Sequence, residues 1–262
     1  KMAQQGVREL ILVAQETTLY GTDLYGKKSL HRLLEELCKI TGIYWIRVLY
    51  CYPEEIYPEL VEVIAREPKV CHYLDLPIQH ASDRILKRMG RRTSKKQLVE
   101  IVRTLREKIP DIVLRTTLIT GFPGETQEDH EELMEFVDTM EFDRLGVFTY
   151  SPEENTPAAV MKAQISEEIK EDRKAELMEL QQEISLERGN SRIGQVLLVM
   201  IEGKVADENA YVGRTYADAP NVDGYIFVQS PEMLMSGDFV KVRVTGALEY
   251  DLIGEIYDEY AE

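Results

Sequence analysis

Along the first two-thirds of the chain, short apolar runs alternate with amphipathic segments. Five runs read as strands: residues 9–14 (ELILVA), 45–52 (WIRVLYCY), 73–79 (YLDLPIQ), 113–120 (VLRTTLIT) and 145–150 (LGVFTY). Their near-continuous apolar character suits strands covered on both faces, as in a parallel sheet. Between them lie helical periods around 29–41, from Pro53 and Glu54 onward, over 94–109 and over 126–140. Leu98, Ile101, Val102, Leu105 and Ile109 mark one helical face, and Leu133, Phe136, Val137 and Met140 another. A strand every roughly 30–40 residues is what βαβ units need. The alternation predicts an α/β domain on a parallel sheet, curved or partly closed into a barrel.

Residues 167–187 form a long charged helix with Ile169, Leu177, Leu180 and Ile184 on one side, stopping at Arg188-Gly189-Asn190. Beyond it the pattern changes. Residues 194–201, 210–216, 225–228, 239–245 and 252–257 are short strands between Gly, Pro, Asn and Asp turns, with no helix among them. This predicts a five-stranded OB-like barrel. The expected domains are 1–188 and 189–262.

The fourth strand runs straight into Gly121-Phe122-Pro123-Gly124, after which Thr126 and Asp129 resemble a capping pair. The two glycines strip side chains from the turn, so a flat ligand could pack on the main chain. An ordinary βα turn is the competing reading. In parallel barrels the active site lies at the C-terminal strand ends. Those ends hold Gln15 and Glu16, Cys51 and Tyr52, Gln79 to Ser82, Thr120 to Glu125, and Tyr150 to Pro157. The set is rich in amides, hydroxyls and bare backbone, and lacks an acid/base pair. That disfavours a hydrolase or a phosphate-binding barrel enzyme, and suits a polar cofactor that brings its own reactivity.

His80 reads as structural or substrate-positioning, because His31, His72 and His130 share no spacing with it for a zinc site. Arg115, within an apolar strand, needs an anion or a carboxylate; a functional contact and a structural ion pair both remain open. Arg84, Lys87, Arg88, Arg91, Arg92, Lys95 and Lys96 form a basic run, either a solvated face or an electropositive edge at the barrel mouth.

Composition narrows the partners. The chain has 262 residues and a net charge of −16, which disfavours RNA and favours a basic protein. The final module carries five basic residues against thirteen acidic ones, half of that excess. No apolar run approaches the roughly 20 residues of a membrane span. Three unpatterned cysteines, Cys38, Cys51 and Cys71, suit the reducing cytoplasm and read as small buried apolar residues. The opening KMAQQGVREL is no signal peptide and reads as the inside of a domain.

With these residues assembled, the chain resembles the radical S-adenosylmethionine methylthiotransferases. LPIQHASDRILKRMGR looks like their fourth barrel strand and following helix, LITGFPGET their fifth, FTYSPEENTPAA their sixth, and the β module their TRAM domain. The resemblance implies a partial (β/α)6 radical-SAM barrel followed by TRAM. QETTLYGTDLYG, the histidine of PIQHASD and the acidic module look like the RimO branch, which methylthiolates the β-carbon of an aspartate in ribosomal protein S-twelve. The sister branch, acting on tRNA adenosine, is the alternative; a non-catalytic module docked on the ribosome surface is the alternative of another class. The resemblance also implies S-adenosylmethionine and two 4Fe–4S clusters in the intact enzyme. One cluster is held by CxxxCxxC, which Cys38, Cys51 and Cys71 cannot supply, so a cluster-free, inactive fragment is expected. The sulfur donor stays open. Gln15, Gln79 and Ser82 would contact the methionine or ribose part, and Arg115 the cofactor carboxylate. Thr117 and Ile119 through Gly121, Phe122, Pro123 and Gly124, with Phe148 or Tyr150, would border the adenine.

Overall fold

A computed structural model describes residues 1–206 and 208–257. The first part runs β1 (Glu9–Leu12), α1 (Thr22–Tyr25), α2 (Leu30–Cys38), β2 (Trp45–Val48), α3 (Pro58–Arg66), β3 (Val70–Asp75), α4 (Asp83–Arg88), α5 (Lys95–Lys108), β4 (Val113–Thr120), α6 (Gln127–Met140) and β5 (Arg144–Thr149). The five strands are all parallel and lie in chain order, the arrangement that repeated βαβ crossovers give. Helices cover one face only. Leu114 and Leu118 of β4 join Ile46, Val48, Leu74 and Val147 in a core shared with Leu60, Leu98, Leu133 and Phe136.

The expected burial of β4 on both faces therefore holds for half of it. Leu114, Thr116, Leu118 and Thr120 are buried, whereas Arg115, Thr117 and Ile119, pointing to the helix-free side, are only half-buried. The third strand also stops early, at Asp75 rather than at Gln79. Pro77 has no N–H to give the ladder, and Gln79 has a left-handed φ of 71°. Pairing resumes as a single bridge between Gln79 and Leu118.

α7 (Glu167–Asn190) leads to β6 (Val196–Lys204), β7 (Ala210–Arg214), β8 (Ile226–Gln229), β9 (Phe239–Ala247) and β10 (Leu252–Ile256). These close into a barrel in the order β10-β8-β7-β6-β9, with β10 parallel to β8 and the other pairs antiparallel. Of the apolar side expected for α7, Leu177 and Ile184 are buried and Leu180 packs partly against the same core, and only its start departs from the reading. Ile169 is exposed, and the buried stripe runs Lys170, Arg173, Leu177, Gln181, Ile184. Two cations bury there because each meets a partner in the barrel.

The two modules share a floor. Loop 215–223 of the β module covers the lower, N-terminal half of the helix-free sheet face. Trp45, Cys71, Tyr73 and Val113 pack there against Met200, Ala217 and Ala219. Around that apolar patch charges are paired across the joint: Glu9, already paired with Arg47 of its own sheet (2.8 Å), with Arg214 (2.7 Å), Arg144 with Asp218 (2.6 Å), and Arg115 with Asp223 (3.4 Å). The upper half of the face stays uncovered.

Candidate active site

The strand-to-helix turn after β4 is held from four sides. Gly121 (φ 69°) and Gly124 (φ 82°) both need the left-handed region. The N–H groups of Gly121 and Phe122 donate to Glu125 Oε2 at 2.9 and 3.3 Å. Arg173 of α7 donates to Glu125 Oε1 at 2.7 Å. His80 is fully buried, and its Nδ1 accepts the Ser82 N–H at 2.9 Å. Its proton therefore sits on Nε2, 3.5 Å from Glu125 Oε2. Burial alone would raise the Glu125 carboxyl, but His80, the Gly121 amide and Arg173 outweigh it and hold the group below its ordinary value.

The basic run supplies the other supports. Arg84 binds the Gly124 carbonyl (2.8 Å) and the Asp129 carboxylate. Arg88 Nε binds the Pro123 carbonyl at 2.9 Å, and Arg91 binds the Pro77 carbonyl. Three members of this run thus hold the turn and the loop beside it, and two of them lie on α4, the helix that the resemblance implied after this strand. Asp129 collects Ser82 Oγ (2.7 Å), the Thr126 N–H (2.8 Å) and Arg84, closing the capping pair expected at α6.

Burial would raise the Asp129 carboxyl, yet these donors bring it from 3.8 to about 2. A folded-state value below the unfolded one contributes stability above about pH 4, lost as pH falls toward 2. Urea midpoints should fall over that interval in the parent and fall less steeply in Asp129→Asn. Equal slopes would remove Asp129 from the account of acid sensitivity.

The predicted site residues divide into groups. Thr117, Ile119 and Phe148 come together on the uncovered half-face, and the main chain of Gln79 bridges to β4 beside them. The Gln79 N–H donates to Thr117 O (2.9 Å), Ile119 N–H donates to Gln79 O (2.8 Å), and Ile119 is in register with Phe148. Phe148 is 60% exposed. Phe122 and Tyr150 lie edge to face, ring centres 5.2 Å apart, in a small cluster that Ile119 also touches, and Pro123 is buried beside them. The space at Gly121 is filled by Lys170, whose Nζ donates to the Tyr150 carbonyl at 2.8 Å; that at Gly124 is filled by the Arg88 guanidinium. Both glycines serve the packing of the turn rather than an open surface. Ser82 spends its hydroxyl on Asp129. Gln15 is exposed beyond β1, on the opposite side of the rim.

Arg115 sits low on β4, where Asp75 (2.8 Å) and Asp223 (3.4 Å) are its carboxylates. The reading that it meets a cofactor carboxylate gives way here to an ion pair within the chain. Asp75 went unremarked, although a lone carboxylate in YLDLP carries the same signal as Arg115 in its own strand. Tyr50, also unremarked, lies on the rim with a φ of 58°.

Residues 1–137 match the radical SAM superfamily, and residues 193–256 the TRAM domain. The chain belongs to the radical SAM superfamily. It is 64% identical over 253 residues, 97% of its length, to the ribosomal protein uS12 methylthiotransferase RimO of Lachnoclostridium phytofermentans. It is 52% identical over 261 residues (100% of this chain) to the RimO of Clostridium botulinum strain Langeland, and 53% over 259 (99%) to that of Clostridium perfringens strain ATCC 13124. In each case it spans 58% of the relative.

Proposed function

We propose that this chain is the barrel and β module of a radical S-adenosylmethionine methylthiotransferase acting on an aspartate side chain of ribosomal protein uS12. The observation that carries this reading is 64% identity to an enzyme of that name over 97% of this chain. The geometry supports it. A parallel sheet covered at its lower half by the β module leaves the C-terminal strand ends, where sites of such folds lie, for a ligand.

The chain's residues fit such a cofactor. Ile119 and Phe148 offer apolar surface to a flat base, and Gln79 and Thr117 add polar groups beside it. Tyr150 Oη, buried near them, has no hydrogen-bond partner among the described residues. Bound there, S-adenosylmethionine would supply the radical and methyl chemistry. The protein's part is to orient it and to keep water from the sheet.

The cysteines do not fit a cluster. Cys51 belongs to the helix-side core, Cys71 to the floor, and Cys38 to the end of α2. Burial pushes the Cys71 thiol up to about 11 and raises that of Cys51, the opposite of what a thiolate ligand needs. No three ligand-type side chains converge among the described residues. We infer that cluster ligands, and with them turnover, require residues beyond these 262.

The substrate reading rests also on charge, since a net −16 suits a basic ribosomal protein. The test is mass analysis of uS12 after incubation with S-adenosylmethionine, reductant and the enzyme with its clusters reconstituted. A methylthio group on aspartate is expected. Product on tRNA adenosine instead would transfer the assignment to the sister activity, and tight uS12 binding without turnover would favour a docking module.

A further inference from the structure

Two non-glycine residues at neighbouring strand ends adopt left-handed backbone: Gln79 after β3 and Tyr50 after β2. Such conformations persist only where their surroundings over-determine them, and they cluster at functional sites. Gln79 is explained by the bridge it makes to β4. Tyr50 is not explained by packing, because its side chain is 45% exposed and makes no hydrogen bond or ring contact with a described residue. Nearby tyrosines differ: Tyr52 lies under Arg91, and Tyr57 bonds His31.

What is fixed at Tyr50 is the main chain. Its N–H donates to Asp75 Oδ2 (3.3 Å), its carbonyl accepts the Thr17 N–H (2.9 Å), and the next N–H, of Cys51, donates to Asp75 O (2.9 Å). Thr17 Oγ1 closes on Leu49 O at 2.6 Å. The hydrogen bonds hold the main chain in a conformation a tyrosine rarely adopts, and the result is a fixed backbone that carries an untethered aromatic ring. The same carboxylate that ties it, Asp75, is 2% exposed and accepts Arg115 Nη1 through its other oxygen, and Arg115 in turn faces Asp223 of the β module.

We propose that Tyr50 is a specificity residue whose ring grips the incoming protein substrate at the C-terminal strand ends, and that Asp75 is the positioning residue that fixes it. This rests on the functional reading above. The occupant is a segment of a basic protein. An exposed tyrosine face receives a lysine or arginine side chain, and exposed Glu153 and Glu154, in the loop after β5, add negative charge to the rim. On the reading above the cofactor would be held by residues of β4 and β5, whereas Tyr50 follows β2, so the two contacts are separable.

The experiment uses the cluster-reconstituted enzyme, purified uS12 and S-adenosylmethionine, with parent, Tyr50→Asn, Tyr50→Phe and Asp75→Asn compared. Asparagine tolerates the left-handed region, so Tyr50→Asn should keep or raise the thermal midpoint. It should weaken uS12 affinity by about tenfold or more, the scale of an aromatic anchor, and hold S-adenosylmethionine affinity within about twofold. Tyr50→Phe should keep uS12 affinity, and Asp75→Asn should lose it while retaining the cofactor. A Tyr50→Asn enzyme that binds uS12 like the parent overturns the proposal alone. Equal losses for uS12 and cofactor overturn the substrate assignment. A parent that binds the cofactor but not uS12 overturns the functional reading, and this proposal with it.

Discussion

Arg47→Ala should destabilise the protein by about 3–5 kcal/mol, the usual cost of breaking a buried ion pair by removing one partner. For a chain of this size that is a fall of roughly 6–20 °C in thermal midpoint. Arg47 is completely buried, donates to Glu9 Oε1 at 2.8 Å and to the Tyr216 carbonyl at 2.6 Å, and lies 4.7 Å from the Tyr73 ring centre. Alanine would strand the carbonyl and leave Glu9 with Arg214 alone. Lys39→Ala, which breaks an exposed pair with Glu36, should shift the midpoint by little, because solvent screens such pairs. Scanning calorimetry on the two variants decides it: similar midpoints would mean that the shared floor is not what joins the modules.

That floor separates what was legible in the sequence from what was not. The strand–helix alternation, the left-handed turn at Gly121 and Gly124 and the Thr126–Asp129 cap rest on local chemistry, so a few neighbouring residues declare them. Arg115 declared, by lying in an apolar strand, that it must meet an anion, and Arg47, in an equally apolar strand, carried the same signal unread. They could not name it. Arg47 finds the Tyr216 carbonyl 169 residues along the chain, and Arg115 finds Asp223 in a loop of the other module. Lys170 and Arg173 lay off the apolar side read for the charged helix, and they are buried because Gly121 and Glu125 lie opposite them. Tyr50 carries no turn signature at all. Its backbone is set by Asp75, and only the fold puts that carboxylate beside it.

The floor also changes what the β module is for. Its loop 215–223 supplies Asp218 and Asp223 to arginines of the sheet, so the barrel's lower layer is complete only with this module in place. Asp223 is raised by its burial, against the pull of its Tyr73 hydrogen bond and the nearby arginines, and so is not an idle surface carboxylate. A substrate docked on the acidic β module would therefore touch an element in direct contact with Arg115, and through Asp75 with the rim.

Gly121→Ala is expected to cost about 2–5 kcal/mol, from two sources that can be told apart. A left-handed φ costs a residue with a Cβ about 1–2 kcal/mol, and overpacking adds about 1–3 kcal/mol more. The new methyl would fall inside the contact shell of Lys170 Cγ, close to the helix backbone and unable to swing away, since the ammonium is tied to Tyr150 O and Glu167. Trimming Lys170 to alanine removes the obstruction and leaves the backbone term. In a double-mutant cycle, Gly121→Ala should therefore cost less in a Lys170→Ala background, by the overpacking share. Because the displaced turn carries Phe122 beside Ile119, cofactor affinity should drop in Gly121→Ala and recover partly in the double variant. Strict additivity of the two substitutions, in stability and in binding, would rule out Lys170 as the wall against which this turn is built.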